Sequence, residues 1–231
     1  MQYNPYYNDA PAERPRIRFS RIEVQHLLMA IVGLTAAFAI LLAPGDPFDY
    51  ETRLDSLLSQ PLLIVASLLA VSTGFLLHEL AHKVVAQRYG HWAEFRASMQ
   101  NIALSILVVA FFRFLFAAPG AVMISGRVSP KENGVISLVG PGTNFVIAVL
   151  TFPFVFVADQ THNLPIVLGT IAWTNGLLAI FNLLPVGPLD GRKVWRWNQV
   201  VYVGAAIAAV GLFILLTITF NPLDVWEERV G

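Results

Sequence analysis

The chain has 231 residues, 56% hydrophobic and 13% charged, with a formal net charge of zero. Soluble domains run nearer a quarter charged. This composition, with a mean hydropathy of +0.62, therefore excludes an ordinary soluble domain, and the charge balance gives no basic footprint for nucleic acid. Cysteine is absent, which removes disulfides and every thiolate metal site, so any metal must be held by His, Asp or Glu.

Residues 1–20 carry Pro and Tyr without apolar periodicity. They are expected as a mobile arm, drawn over 1–24, ahead of a single transmembrane domain over 25–231 with its core at 61–191. A span needs about 20 apolar residues. The apolar runs are Leu27–Ala43, Pro61–Val85, Ile102–Ala118, Val135–Ala158, Pro165–Leu184 and Val200–Phe220. Lys/Arg bias sets orientation. Arg14, Arg16, Arg18 and Arg21 precede the first run, which places the N-terminus inside, and the acidic loop Pro44–Gln60 then falls outside. The second run ends inside near Lys83 and Arg88. Ile102–Ala118 is short and carries Arg113. If it crosses, Arg192, Lys193 and Arg196 fall outside; if it is re-entrant, every basic loop falls inside. Charge bias favours five full spans plus one partial segment, with a full sixth span as the alternative. The segments His91–Ser98 and Gly120–Val128 alternate in part and are expected as short strands or a surface hairpin. The fold class expected is an all-α polytopic membrane protein of five to six transmembrane helices. It includes a small membrane-associated β hairpin or sheet between the second and third core segments.

The second run contains His78-Glu79-Leu80-Ala81-His82. Two histidines at i and i+4 share one helix face and can hold one Zn²⁺, with the adjacent glutamate placed to act as a base. A carboxylate inside a membrane is costly and calls for a function. His78 lies ~26 Å of helix from Pro61, close to the inner edge of a core about 30 Å thick. Asp190 follows the fifth run, in a stretch broken by Pro185, Gly187, Pro188 and Gly191. Broken backbone at membrane depth is tolerated where it lines a buried or watery cavity. The re-entrant arrangement brings Asp190 to the membrane face of His78. Without the His pair, the preferred reading of Asp190 is a solvated loop residue capping the next helix.

His78-Glu79-x-x-His82, then Gly140-Pro141-x-x-Asn144, then Asn182-x-x-Pro185-x-x-x-x-Asp190-Gly191 resembles the site-2 protease family of intramembrane zinc metalloproteases, in the compact type without a PDZ domain. The three motifs span about half the chain. The resemblance implies a core of three spans, beginning near Pro61, Val135 and Pro165, one Zn²⁺ per chain on His78, His82 and Asp190, and cleavage of transmembrane segments of other membrane proteins. A zinc-activated water would be the nucleophile, Glu79 the base, and Asn182 or Asn144 the oxyanion donor, with Asn182 preferred by resemblance. Asn175 reads as an interhelical hydrogen-bond former, Gly140 and Gly142 as sites of close helix approach, and His26, His91 and His162 as solvated. A helical substrate must unwind before attack, and an exposed strand edge could hold it. The partners expected are the substrate's transmembrane segment and the lipid bilayer. The location expected is the cell membrane, with the N-terminus and active site toward the cytoplasm. The alternative functions are a membrane transporter and a non-catalytic zinc-binding scaffold.

Overall fold

The computed structural model describes residues 17–45, 49–113, 119–157 and 163–228. Most of the expected N-terminal arm, and His162, lie outside the described residues. Ser20 opens helix α1 (Arg21–Leu42), its Oγ accepting the Glu23 amide at 3.1 Å. Asp49 caps the short helix α2 (Tyr50–Ser59), and the Thr52 hydroxyl and amide hold its carboxyl below the usual carboxylate range. Helix α3 (Pro61–Val71) runs through a π-helical turn (Ser72–Leu76) into α4 (Leu77–Arg88). Strand β1 (Trp92–Ala97), helix α5 (Met99–Phe112) and strand β2 (Gly120–Ser125) follow. A Ser129–Glu132 capping box with Pro130 in the first turn starts α6 (Pro130–Thr151). The remaining helices are α7 (Phe154–Val157), α8 (Leu164–Leu183), α9 (Asp190–Trp197), α10 (Gln199–Thr219) and α11 (Pro222–Glu228).

Among the described residues, five stretches are long and apolar enough to cross a membrane: Arg21–Leu42, Pro61–Arg88, Pro130–Val157, Leu164–Leu183 and Gln199–Glu228. The protein is a multi-pass membrane protein. Helix α8 is the most enclosed of the five and α10 the most peripheral, with Val200, Ile207 and Ile218 turned outward. The spans start earlier than the apolar runs suggest, because capped polar turns precede the first apolar residue at Ser20 and Ser129.

Between the second and third of these stretches, segment 98–119 holds the shorter apolar helix Met99–Phe112. The Ser98 amide donates to the Pro119 carbonyl at 2.7 Å, so the two ends of the segment stand side by side. Helix α5 is ~21 Å long and packs along α1, with Ile102 against Gly33. At its far end Arg113 takes a left-handed conformation (φ 48°) and donates to Ala43 O at 3.1 Å and Gly45 O at 3.3 Å. These are carbonyls at the C-terminus of α1, where a cation is favoured. Arg113 is thus spent closing a neighbouring helix, which accounts for an arginine in an apolar run.

The two strands form an antiparallel pair with Trp92 opposite Ser125 and Phe95 opposite Val122. They fall in the two segments expected as strands, between the full spans that begin at Pro61 and Pro130, and Val122 and Ile124 turn inward against exposed Ala121 and Met123. Two histidines expected to be solvated are engaged. His26 Nδ1 accepts the Ala97 amide at 3.1 Å, and His91 Nε2 lies 3.6 Å from Glu132. Neither contact has a sequence spacing that announces it.

Candidate metal centre and active site

His78 and His82 lie one turn apart on α4, and Asp190 is the first residue of α9. All three are buried. His78 Nε2 and His82 Nε2 are 2.9 Å apart, and Asp190 Oδ2 lies 3.3 Å from the first and 3.0 Å from the second. Among the described residues they form a metal-competent group of three.

The outer nitrogens decide what this cluster can bind. His78 Nδ1 faces Asn144 Oδ1 at 2.6 Å, and His82 Nδ1 faces the Ile136 carbonyl at 2.6 Å. The Asn144 amide orientation is fixed, because its Nδ2 donates to Gly74 O at 2.7 Å and Asn175 Oδ1 at 3.0 Å. Both Nδ1 atoms therefore carry the proton, and both Nε2 atoms present a lone pair. Two imidazole lone pairs and a carboxylate oxygen then meet with no proton of their own between them. A cation resolves that repulsion. Ligands on a tetrahedral zinc at about 2.0–2.1 Å lie roughly 3.3 Å apart, so this donor set fits one zinc with little adjustment. The group has three members, which leaves a fourth tetrahedral position open, as catalytic zinc sites require.

Local sequence explains the approach of the elements. A Cβ at Gly140 on α6 would collide with both imidazoles, so glycine is what lets α6 lie against the pair. A Cβ at Gly191 would collide with the Leu183 and Leu184 carbonyls, so the Asp-Gly pair lets α9 fold back under α8. Gly142 meets nothing within 4 Å and does not serve close approach. The π-helical turn just before His78 supplies the Gly74 carbonyl that Asn144 engages.

The cluster opens into a cavity of about 350 Å³. Glu79, Asn182, Asn101 and Lys193 line it, together with the β2 residues Val122 and Ile124. Asn182 donates to Leu178 O at 3.0 Å through Nδ2, and its second amide hydrogen has no partner among the described residues. Asn144 does not line the cavity. It is fully buried and both of its amide hydrogens are donated, so it has no donor left for an oxyanion, contrary to its expected candidacy. Its side-chain oxygen is instead engaged with His78 Nδ1. Asn175 links α8 to Asn144, Thr73 and its own helix, as expected of it. Lys193 is a cavity residue that sequence reasoning left out. Its Nζ lies 3.3 Å from Asp190 Oδ1, and its position three residues after Asp190 on one helix was the available signal.

Strand β2 contributes backbone as well as side chains. The Phe95 and Ala97 amides point away from β2, because side chains of α1 take them. In an antiparallel ladder their partner Val122 must then also point outward. The edge N–H and C=O groups of Gly120, Val122 and Ile124 therefore point away from β1, on a strand whose residues line the cavity, and the Val122 amide bonds to the Glu79 carboxylate.

Three similar proteins carry metalloprotease names. "Putative zinc metalloprotease MJ0611" of Methanocaldococcus jannaschii is 37% identical over 157 residues, covering 67% of this chain and 82% of the relative. "Zinc metalloprotease MJ0392" of the same organism is 29% identical over 121 residues, covering 52% of this chain and 30% of that protein. "Putative zinc metalloprotease Rip3" of Mycobacterium tuberculosis is 29% identical over 182 residues, covering 76% of this chain and 40% of that protein. The chain thus matches less than half the length of the latter two. No family model and no solved structure matches the chain. The fold and the buried three-ligand group define a membrane-embedded zinc metalloprotease class, and the chain belongs to the site-2 protease family.

Proposed function

We propose that this protein is an intramembrane zinc metalloendopeptidase that cleaves transmembrane segments of other membrane proteins. The observation that carries the reading is the convergence of two imidazole lone pairs and the Asp190 carboxylate at the wall of a cavity that also holds Glu79. Zinc held by His78, His82 and Asp190 would supply Lewis acidity for peptide hydrolysis. Glu79 takes the proton of the attacking water and returns it to the leaving amine. The free Asn182 amide hydrogen is the donor for the developing oxyanion. The open edge of β2 pairs with the unwound substrate backbone, holding in extended form the peptide groups that a helix conceals. Purified protein incubated with a transmembrane substrate should cleave it, stop on chelation, and resume when zinc is restored. Cleavage that persists after all metal is removed would sink this reading.

Asn144 acts through His78 and not on the substrate. Asn144→Ala is expected to weaken zinc binding about 10- to 100-fold, the usual cost of losing an outer hydrogen bond to a ligand. Competition with a calibrated chelator measures it, and unchanged affinity would make Asn144 a packing residue.

We assign the core at 61–191 to a single protease domain over 25–231, in the cell membrane, with the N-terminus and active site on the cytoplasmic side. Lys/Arg bias supports this orientation. Single cysteines can test it, since the chain has none. Positions Gln100, Arg127 and Arg192 should label from one side, and Asp55 and Glu228 from the other; all five are exposed. Asp55 serves better than its neighbour Ser56, which is only 4% exposed. Opposite-side labelling at 100 and 127 would mean that segment 98–119 crosses.

A further inference from the structure

One buried ion pair has no part in the chemistry above. Glu23 and Lys83 are 0% and 1% exposed and bonded to each other. Lys83 immediately follows His82 on α4, and Glu23 lies in the first turn of α1. Burying both charges costs stability that an apolar pair would not. The other carboxylate oxygen shows what the arrangement does. Glu23 Oε1 accepts the Phe95 amide at 3.0 Å, so one carboxylate joins the catalytic helix to β1. Its neighbours complete the pattern. His26 Nδ1 accepts the Ala97 amide at 3.1 Å, and Gln87 Nε2 donates to the Ala93 carbonyl at 3.0 Å. The outer edge of β1 is thus taken up by side chains of α1 and α4, while β2 lines the cavity and on its outer edge the Val122 amide meets Glu79. An uncovered strand edge pairs with whatever strand is offered.

We propose that Glu23 is a positioning residue for the substrate strand. It holds β1 against the helix that carries His78, Glu79 and His82, and it closes the outer edge of β1. Strand addition is thereby confined to β2, at a fixed height over Glu79. The proposal deepens the reading of this chain as an intramembrane protease and rests on it.

Two charge-neutral double variants separate this role from simple packing. Glu23→Gln with Lys83→Met keeps an acceptor for the Phe95 amide. Glu23→Leu with Lys83→Met removes that acceptor and replaces the ion pair with apolar groups, an exchange that proteins often tolerate well. The first should keep KM near the wild-type value. The second should raise KM about five- to tenfold, the scale of one lost hydrogen bond, with kcat little changed and zinc still one per chain. Hydrogen–deuterium exchange of residues 92–97 and 120–125 should quicken only in the second. A third variant, His26→Leu, leaves the ion pair intact and should raise KM in the same direction by a smaller factor. Wild-type cleavage with equal KM and equal exchange in both doubles, or no effect of His26→Leu should the doubles not fold, would overturn the proposal alone. A wild type that cleaves no transmembrane substrate would overturn the protease reading and this role with it.

Discussion

Glu79→Gln should keep one zinc per chain and the native fold while lowering peptide cleavage by about 10²–10⁴-fold, the range associated with losing a positioned acid–base group. Glu79 lines the cavity beside the three-ligand group without belonging to it. Glutamine keeps the shape and the polarity of that wall but cannot take a proton from water. The decisive experiment is metal analysis and a cleavage assay on one preparation. Substantial cleavage by a zinc-loaded variant would falsify the assignment of Glu79 as base. Loss of zinc would instead mean that the carboxylate helps to hold the metal.

Asp190→Ala should lose both metal and activity. It removes the only anionic oxygen among the three converging donors and leaves two imidazoles, which hold zinc loosely. The affinity loss should exceed the ~100-fold upper cost of an outer-shell defect, which makes it larger than the loss expected for Asn144→Ala. Retention of one tightly held zinc per chain would make Asp190 a helix-starting residue and dissolve the proposed centre. Measuring Asn144→Ala and Asp190→Ala against the same chelator ranks the two residues as orienting group and ligand.

The amino-acid sequence carried much of this architecture. The spacing of His78 and His82 and the apolar runs were legible because helix periodicity and bilayer thickness are simple constraints. The fate of segment 98–119 was legible only as a preference drawn from Arg192, Lys193 and Arg196. The deciding contact, Ser98 to Pro119, joins backbone atoms across a stretch that composition alone presents as one more span. The difference between Asn144 and Asn182 was hidden for another reason. Both are amides in apolar surroundings, and only their partners separate a saturated amide from one with a free hydrogen. The β1 edge was equally opaque, since Glu23 and His26 reach it from more than seventy residues away. The caps at Ser20 and Ser129 were missed in reading apolar runs alone, although each is a serine three positions ahead of a glutamate, Glu23 and Glu132.

The bond between Ser98 and Pro119 also bears on how the later spans are counted across a bilayer. A segment whose two feet meet adds nothing to the parity of crossings, however apolar it is. Insertion machinery that read residues 102–112 as a stop would invert every later span. Asp190 would then emerge about 30 Å from its histidines, on the far side of the hydrocarbon. Assembly of the metal centre therefore depends on the parity of crossings between His78 and Asp190, which are 112 residues apart in the chain.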